Sequence, residues 1–133
     1  VTYLLDVNAL LALVHQEHFF NRRVSQWMKT LDRKKDRLAT CSIVELGVVR
    51  IFPQLPNVDY SVEEAQDLLA RFKASSKFPI MLLADELGVD RLPKWVKNHT
   101  QTTDGHLVSL ADAHGATLAT LDRKIHGAFL VPE

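Results

Sequence analysis

Four carboxylates stand where strand-like runs give way to helix-like ones. They are Asp6 in Leu5-Asp6-Val7-Asn8, Glu45 in Ser42-Ile43-Val44-Glu45, Asp104 in Thr103-Asp104-Gly105, and Asp122 in Thr120-Leu121-Asp122. Successive members lie 39, 59 and 18 residues apart, so only a fold can gather them. Once gathered they repel: two unit charges about 5 Å apart at an effective dielectric near 20 cost roughly 3 kcal/mol. Such a group either keeps protons, with coupled titrations, or recruits a hard divalent cation. An all-oxygen ligand set with no thiolates favours magnesium or manganese over zinc. A cation of that kind acidifies a bound water and neutralises phosphoryl oxygens, which is phosphoester hydrolysis in outline.

Each residue also has a purely local explanation. Asp6 can cap the turn before the first helix, and Ser42 with Glu45 has the pattern of a capping box. Asp104 at a helix start is favoured by the macrodipole alone, and Asp122 after a strand is ordinary turn chemistry. His15 and His18 have a metal-pair look but fall at a helix end and in a loop. Cys41 reads as a small core residue. No nucleophile elbow, phosphate-cradling glycine loop or dinucleotide fingerprint is present. The signal is joint: the acids share one predicted sheet edge.

The elements that must hold them follow from the hydrophobic pattern. Val1 to Leu5, Leu38 to Cys41, Ile80 to Ala84, Ala116 to Leu121 and Ala128 to Val131 read as strands. Between them, Asn8 can cap a short helix through Val14. Phe20, Val24, Trp27, Met28 and Leu31 mark one face of a helix from about His18 to Leu31. Ser42 opens another that Pro53 ends, and Ser61 with Glu64 boxes the start of the next. Thr103 or Asp104 caps the last, and Gly115 is placed to end it. Alternating strands and helices imply an α/β sandwich of parallel strands joined by crossovers, with helices on both faces. Ligand sites in such sheets lie beyond the strands' carboxyl ends, which is where Asp6, Asp85 and Asp122 fall.

Composition bounds the rest. A chain of 133 residues is one domain, 1–133, long enough for a real core. Sixteen basic against sixteen acidic residues exclude a coat of bulk positive charge. Seven of the sixteen basic residues nevertheless fall between Arg22 and Arg37, opposed only by Asp32 and Asp36; such a run is usually a solvated helix face and loop, and beside an acidic metal pocket it can instead hold a polyanion backbone. The single cysteine fits a reducing compartment, and no apolar run reaches bilayer length, so the expected setting is the cytoplasm, with no membrane partner.

The chain resembles the PIN-domain ribonucleases, and within them the VapC-like toxins of bacterial toxin–antitoxin pairs. The anchors are Leu5-Asp6-Val7-Asn8-Ala9-Leu10, Thr40 to Leu46 followed by Val49-Arg50, Thr103-Asp104-Gly105-His106-Leu107, and Leu110-Ala111 leading to Gly115 through Asp122. Nearly the whole chain is covered. The resemblance implies a PIN-like three-layer sandwich with a five-stranded parallel sheet in the order 3-2-1-4-5. It also implies a magnesium-dependent endoribonuclease, with manganese a plausible substitute, acting on RNA as a homodimer with a cognate antitoxin. Antitoxins of this kind insert an arginine or similar group into the acid pocket, where a guanidinium pairs bidentately with carboxylates. By that likeness Asp6 and Asp104 hold the metal, Asp122 completes the cluster, Glu45 orients or deprotonates the attacking water, and Asn8 positions Asp6. Two departures stand out. Lys124 occupies a position where many relatives carry a further acid, which favours one ion over two. The stretch Asp85 to His99 is unfamiliar and is placed to shape substrate choice. A small metal-dependent phosphatase and a non-catalytic PIN-fold binding module are the rival readings.

Overall fold

Thr2–Leu5 forms the central strand, β1, of the sheet seen in the computed structural model, which describes residues 1–133. The remaining strands are β2 (Arg37–Cys41), β3 (Ile80–Leu83), β4 (Thr117–Thr120) and β5 (Phe129–Leu130). All four pairings are parallel and the order is β3-β2-β1-β4-β5, as the resemblance implies. Leu4 and Leu5 are both fully buried. A central strand covered on both faces needs apolar residues at consecutive positions, which explains why β1 and β2 lack alternation. The edge strand β3 departs from this: Met81 and Leu82 are exposed, because no further strand or helix covers that edge there.

Five helices connect the strands: α1 (Val7–Val14), α2 (Asn21–Thr30), α3 (Ser42–Ile51), α4 (Val62–Ser75) and α5 (Thr102–Ala113). Helices α1 to α4 pack on one another, while α5 lies on β1 and β4. Right-handed crossovers require this, since α5 reverses the direction of travel across the sheet and so covers the opposite face. Twenty-nine buried apolar residues make one continuous core. Ser61 and Glu64 cap α4 reciprocally as the sequence predicts, at 3.1 Å each. Gly115 ends α5 with φ +65, a left-handed conformation that costs a side chain about 1 kcal/mol or more.

Parallel strands put every β-to-α junction at one end of the sheet. Helices α3 and α5 run back against the strands, so their first turns sit at that same end. Asp6, Asp104 and Asp122 are thereby brought within one another's electrostatic reach, whereas Glu45, in the first turn of α3, faces Lys73 of α4.

The run of basic residues is divided by the same geometry. Arg22 and Arg23 open α2 near the acid end, but the helix carries the chain away, and Arg33, Lys34 and Lys35 lie in the loop leading to β2. That loop abuts the start of β1: the Val1 ammonium reaches Lys35 O and Asp36 Oδ1, and Arg37 N donates to Val1 O. The run is thus split between a helix and a loop, the ordinary arrangement for such a stretch.

Candidate active site

Asp6 is the first residue past β1 and the N-cap of α1. Its Oδ1 accepts from Ala9 N at 2.8 Å and its Oδ2 from the Thr120 hydroxyl at 2.5 Å. The side chain is 5% exposed. Its carboxyl is raised to about 6: burial pushes it up most, the two hydrogen bonds pull it down, and the nearby Asp104 and Asp122 charges add to the rise. Burial and charge repulsion win over the hydrogen bonds. With both oxygens engaged and the group this deeply buried, the direct nucleophilic role that the phosphatase reading needs is poorly served.

Asp104 lies in the first turn of α5, half-buried, and its carboxyl is also raised, by burial and then by Asp122. Asp122 is held by its own loop: its N–H donates to Thr120 Oγ1 at 3.0 Å and its Oδ1 accepts from Lys124 N at 2.8 Å. The three aspartates thus share one electrostatic field. No lysine or arginine figures among the groups that shift Asp6 or Asp104. Charge and all-oxygen donor chemistry suit a hard divalent cation. The side chains as they stand are not drawn into a ready three-ligand grip.

Glu45 has a different partner from the one its pattern predicts. Strand β2 runs into α3 without a loop, so Cys41 is the N-cap and no side chain caps the helix. The Ser42–Glu45 capping box does not form. Instead Glu45 pairs with Lys73 of α4 at 2.8 Å, in a groove that Leu46, Val49 and Leu69 also line. Asn8 likewise differs from expectation. Asp6 has taken the cap, leaving Asn8 within the first turn of α1, exposed and without a hydrogen bond to Asp6. Nor does Thr103 or Asp104 cap α5. A 3-10 turn, His99–Gln101, capped by Asn98, leads straight into the helix, with Gln101 at the N-cap.

The residue that positions Asp6 is Thr120, which sequence reasoning passed over. Its register explains it: Leu5 pairs with Ala119, so the next residues of β1 and β4, Asp6 and Thr120, lie side by side. One hydroxyl donates to Asp6 and accepts from Asp122 N–H, tying two of the acids together. A threonine two before the aspartate, at the end of a strand whose middle is apolar, was the available signal. Thr120→Val is expected to lower activity at least tenfold and to destabilise the fold by about 1–3 kcal/mol, by leaving a buried carboxylate oxygen without its donor. Thr120→Ser should restore most of both. Equal loss in the serine variant, by cleavage assay and thermal unfolding, would assign Thr120 to packing alone.

The unfamiliar stretch after β3 acts as a brace on α5. Asp85 and His106 pair at 2.5 Å. Burial alone would raise the Asp85 carboxyl, but the His106 hydrogen bond, helped by Leu87 N–H, brings it below its ordinary value. Gly105 allows the close approach, since a Cβ there would collide with Val96 and press on Pro93. Asp104 therefore directly precedes two constrained residues, Gly105 and His106.

The sequence matches the PIN domain family over residues 3–128. Among curated relatives, the ribonuclease VapC29 of Mycobacterium tuberculosis is 32% identical over 138 aligned positions, covering 99% of this chain and 98% of the relative. VapC38 of the same species is 32% identical over 122, covering 90% and 84%. The crystal structure of VapBC2 from Rickettsia felis, bound to a DNA fragment from its promoter, superimposes with a TM-score of 0.64 at 18% identity. It covers 98% of this chain and 97% of that one.

Proposed function

Since the chain belongs to the PIN-domain family, in its VapC-like branch, we propose that it is a magnesium-dependent endoribonuclease and the toxin of a toxin–antitoxin pair. The observation that carries the reading is Asp6: a buried carboxylate raised to about 6, by burial first and also by the Asp104 and Asp122 charges. Curated relatives named ribonuclease, matched over nearly their whole length, support the reaction class. Manganese is expected to substitute for magnesium.

Bound at Asp6, Asp104 and Asp122, the ion would supply a Lewis acid for the phosphoryl oxygens and a more acidic water. The protein does the rest. Thr120 and Ala9 N–H hold Asp6 in one orientation, so its charge is fixed before substrate arrives. The brace between Asp85 and His106 anchors the start of α5, the helix that carries Asp104. Glu45 takes the proton of the attacking water, for which it must exchange Lys73 for that water. Water attacks phosphorus in line and the 3′ oxygen leaves. We expect Glu45→Gln to lower kcat about 100-fold, within the usual range for a general base. Its stability should change by less than about 1 kcal/mol, since the Lys73 pair is part-exposed. An unchanged kcat would make Glu45 a structural partner of Lys73 only.

A cluster of three carboxylates also suits inhibition by an antitoxin that presents a guanidinium. A homodimer and a cytoplasmic setting complete the proposal; no helix here is long and apolar enough to cross a membrane. The test is incubation of purified protein with end-labelled RNA in magnesium, in manganese and in excess chelator. Internal cleavage with either metal and none with chelator is expected. No cleavage under any metal would leave a PIN-fold binding module.

A further inference from the structure

Of the sixteen lysines and arginines, two are ion-paired with a carboxylate: Arg123 with Glu133, and Lys73 with Glu45. Both members of the first pair are largely exposed, at 74% and 71%, and touch nothing the reaction uses. The second is part-buried, at 27% and 24%, and falls on the carboxylate that the reaction needs free. Glu45 stands in the first turn of α3 and Lys73 in the last turn of α4, so the two helices meet there. Between them runs a groove of about 750 Å³, walled by Leu46, Val49, Leu69 and Ala70, with the ion pair among its polar lining.

The pair is built to come apart. The 2.8 Å bond from Lys73 Nζ to Glu45 Oε2 is the one hydrogen bond that either side chain makes. An ammonium has three donors and a carboxylate two acceptor oxygens, so both ends keep capacity for a new partner. Water reaches both groups, and a pair screened in this way holds weakly. Lysine also suits a moving contact, as a point charge on a flexible stem whose methylenes can lie along an apolar wall. What it needs on leaving Glu45 is another anion, since water alone would leave a part-buried ammonium without a counter-charge. A divalent cation would repel it. The anion that arrives when the base is required is the RNA backbone, with a phosphate at every nucleotide, and a lysine is an ordinary phosphate binder.

We propose that Lys73 is a positioning residue exchanged between two anions. In the free protein it holds Glu45. When RNA enters the groove between α3 and α4, Lys73 passes to a phosphate beside the scissile one and frees Glu45 to take the proton of the attacking water. Lys73 itself neither gives nor takes a proton. The assignment rests on the ribonuclease reading, with Glu45 as its base, and adds a regulation to it: the base is unmasked by the substrate.

The test is a double-variant cycle on the full chain, with Lys73→Gln, Glu45→Gln and the two together. Affinity for end-labelled RNA is measured on an Asp6→Asn background, where the RNA stays whole, and cleavage in magnesium on the wild-type background. Lys73→Gln is expected to weaken binding about 5- to 10-fold and to reduce its salt dependence by about one counterion. Glu45→Gln should tighten binding about 5-fold, because it releases Lys73 to the RNA, and the double variant should bind like Lys73→Gln. In cleavage, Lys73→Gln raises KM by as much as it weakens binding and leaves kcat within about twofold; Lys73→Arg restores KM. A tightening by Glu45→Gln that persists in the double variant reports the loss of a repelling charge and overturns the exchange. So does a Lys73→Gln variant with lower Tm and kcat but unchanged KM, which makes Lys73 a brace between helices. Wild-type cleavage with binding and KM unmoved by Lys73→Gln overturns the role of Lys73 and leaves the ribonuclease reading intact. The binding cycle as stated, with no wild-type cleavage under any metal, overturns the ribonuclease reading and keeps the RNA contact alone.

Discussion

Asp6→Asn is expected to reduce RNA cleavage by at least 1,000-fold while making the metal-free protein more stable at neutral pH. The two effects come from one charge. In the wild type the carboxyl of Asp6 is raised from an ordinary value of 3.8 to about 6. A shift of that size corresponds to about 3 kcal/mol by which ionisation penalises the native state once pH is well above 6. Asparagine removes the charge and keeps the geometry: its carbonyl can still accept from Ala9 N–H, and its amide can face the Thr120 hydroxyl. At most, then, about 3 kcal/mol returns, which is roughly 10 °C in Tm for a chain of this length. Loss of a cation ligand acts in the other direction on activity, since the Lewis acid and the acidified water contribute several kcal/mol to the transition state. Cleavage assays and calorimetry in chelator at pH 7.5 measure the two separately. An inactive variant less stable than wild type would show that Asp6 serves as a helix cap whose charge the fold needs. An active one would remove it from the reaction.

That opposition explains why the site was half legible in the sequence. Burial of apolar runs, crossover handedness and strand-end placement are general, so the architecture and the gathering of Asp6, Asp104 and Asp122 at one edge could be read from pattern. Details that depend on which group reaches a partner first could not. Glu45 matches a capping box, yet a strand that enters its helix without a loop leaves the cap to Cys41, and Lys73, 28 residues on, supplies a stronger partner. Asn8 loses its expected role because the cap falls two residues earlier, on Asp6 itself. Thr120 gains one because parallel register sets it beside Asp6, and register is not visible in one strand alone. The basic run from Arg22 to Arg37 falls on a helix and a loop, and proximity in sequence along a ten-residue helix becomes separation of about 15 Å in space.

The pH dependence of stability gives the second large effect and tests the cluster without any RNA. For an aspartate whose native carboxyl is raised, the native state binds more protons than the unfolded chain between the two values. Stability therefore falls as pH rises from about 4 through 6 and levels above. Asp104, raised as well, adds to the same slope. Asp36 and Asp85, both lowered, lose their contribution only as pH drops through and below the ordinary carboxylate value, a lower window. His18 opposes the trend. Burial, with His15 beside it, lowers its value, so its contribution is lost as pH falls from about 6.5. The difference between wild type and Asp6→Asn cancels His18 and isolates the aspartate: near zero at pH 4 and growing to about 3 kcal/mol by pH 7 in favour of the variant. Millimolar magnesium should then raise the wild-type Tm at pH 7.5, where the cluster is ionised. It should do little at pH 4.5, where Asp6 holds its proton, and little in Asp6→Asn at either pH. A 100-fold excess over the dissociation constant corresponds to about 2.7 kcal/mol, close to the whole ionisation penalty. Binding at these carboxylates therefore predicts that saturating metal nearly abolishes the decline in stability between pH 4.5 and 7.5. A magnesium shift of equal size at both pH values, or one that survives Asp6→Asn, would place the ion elsewhere.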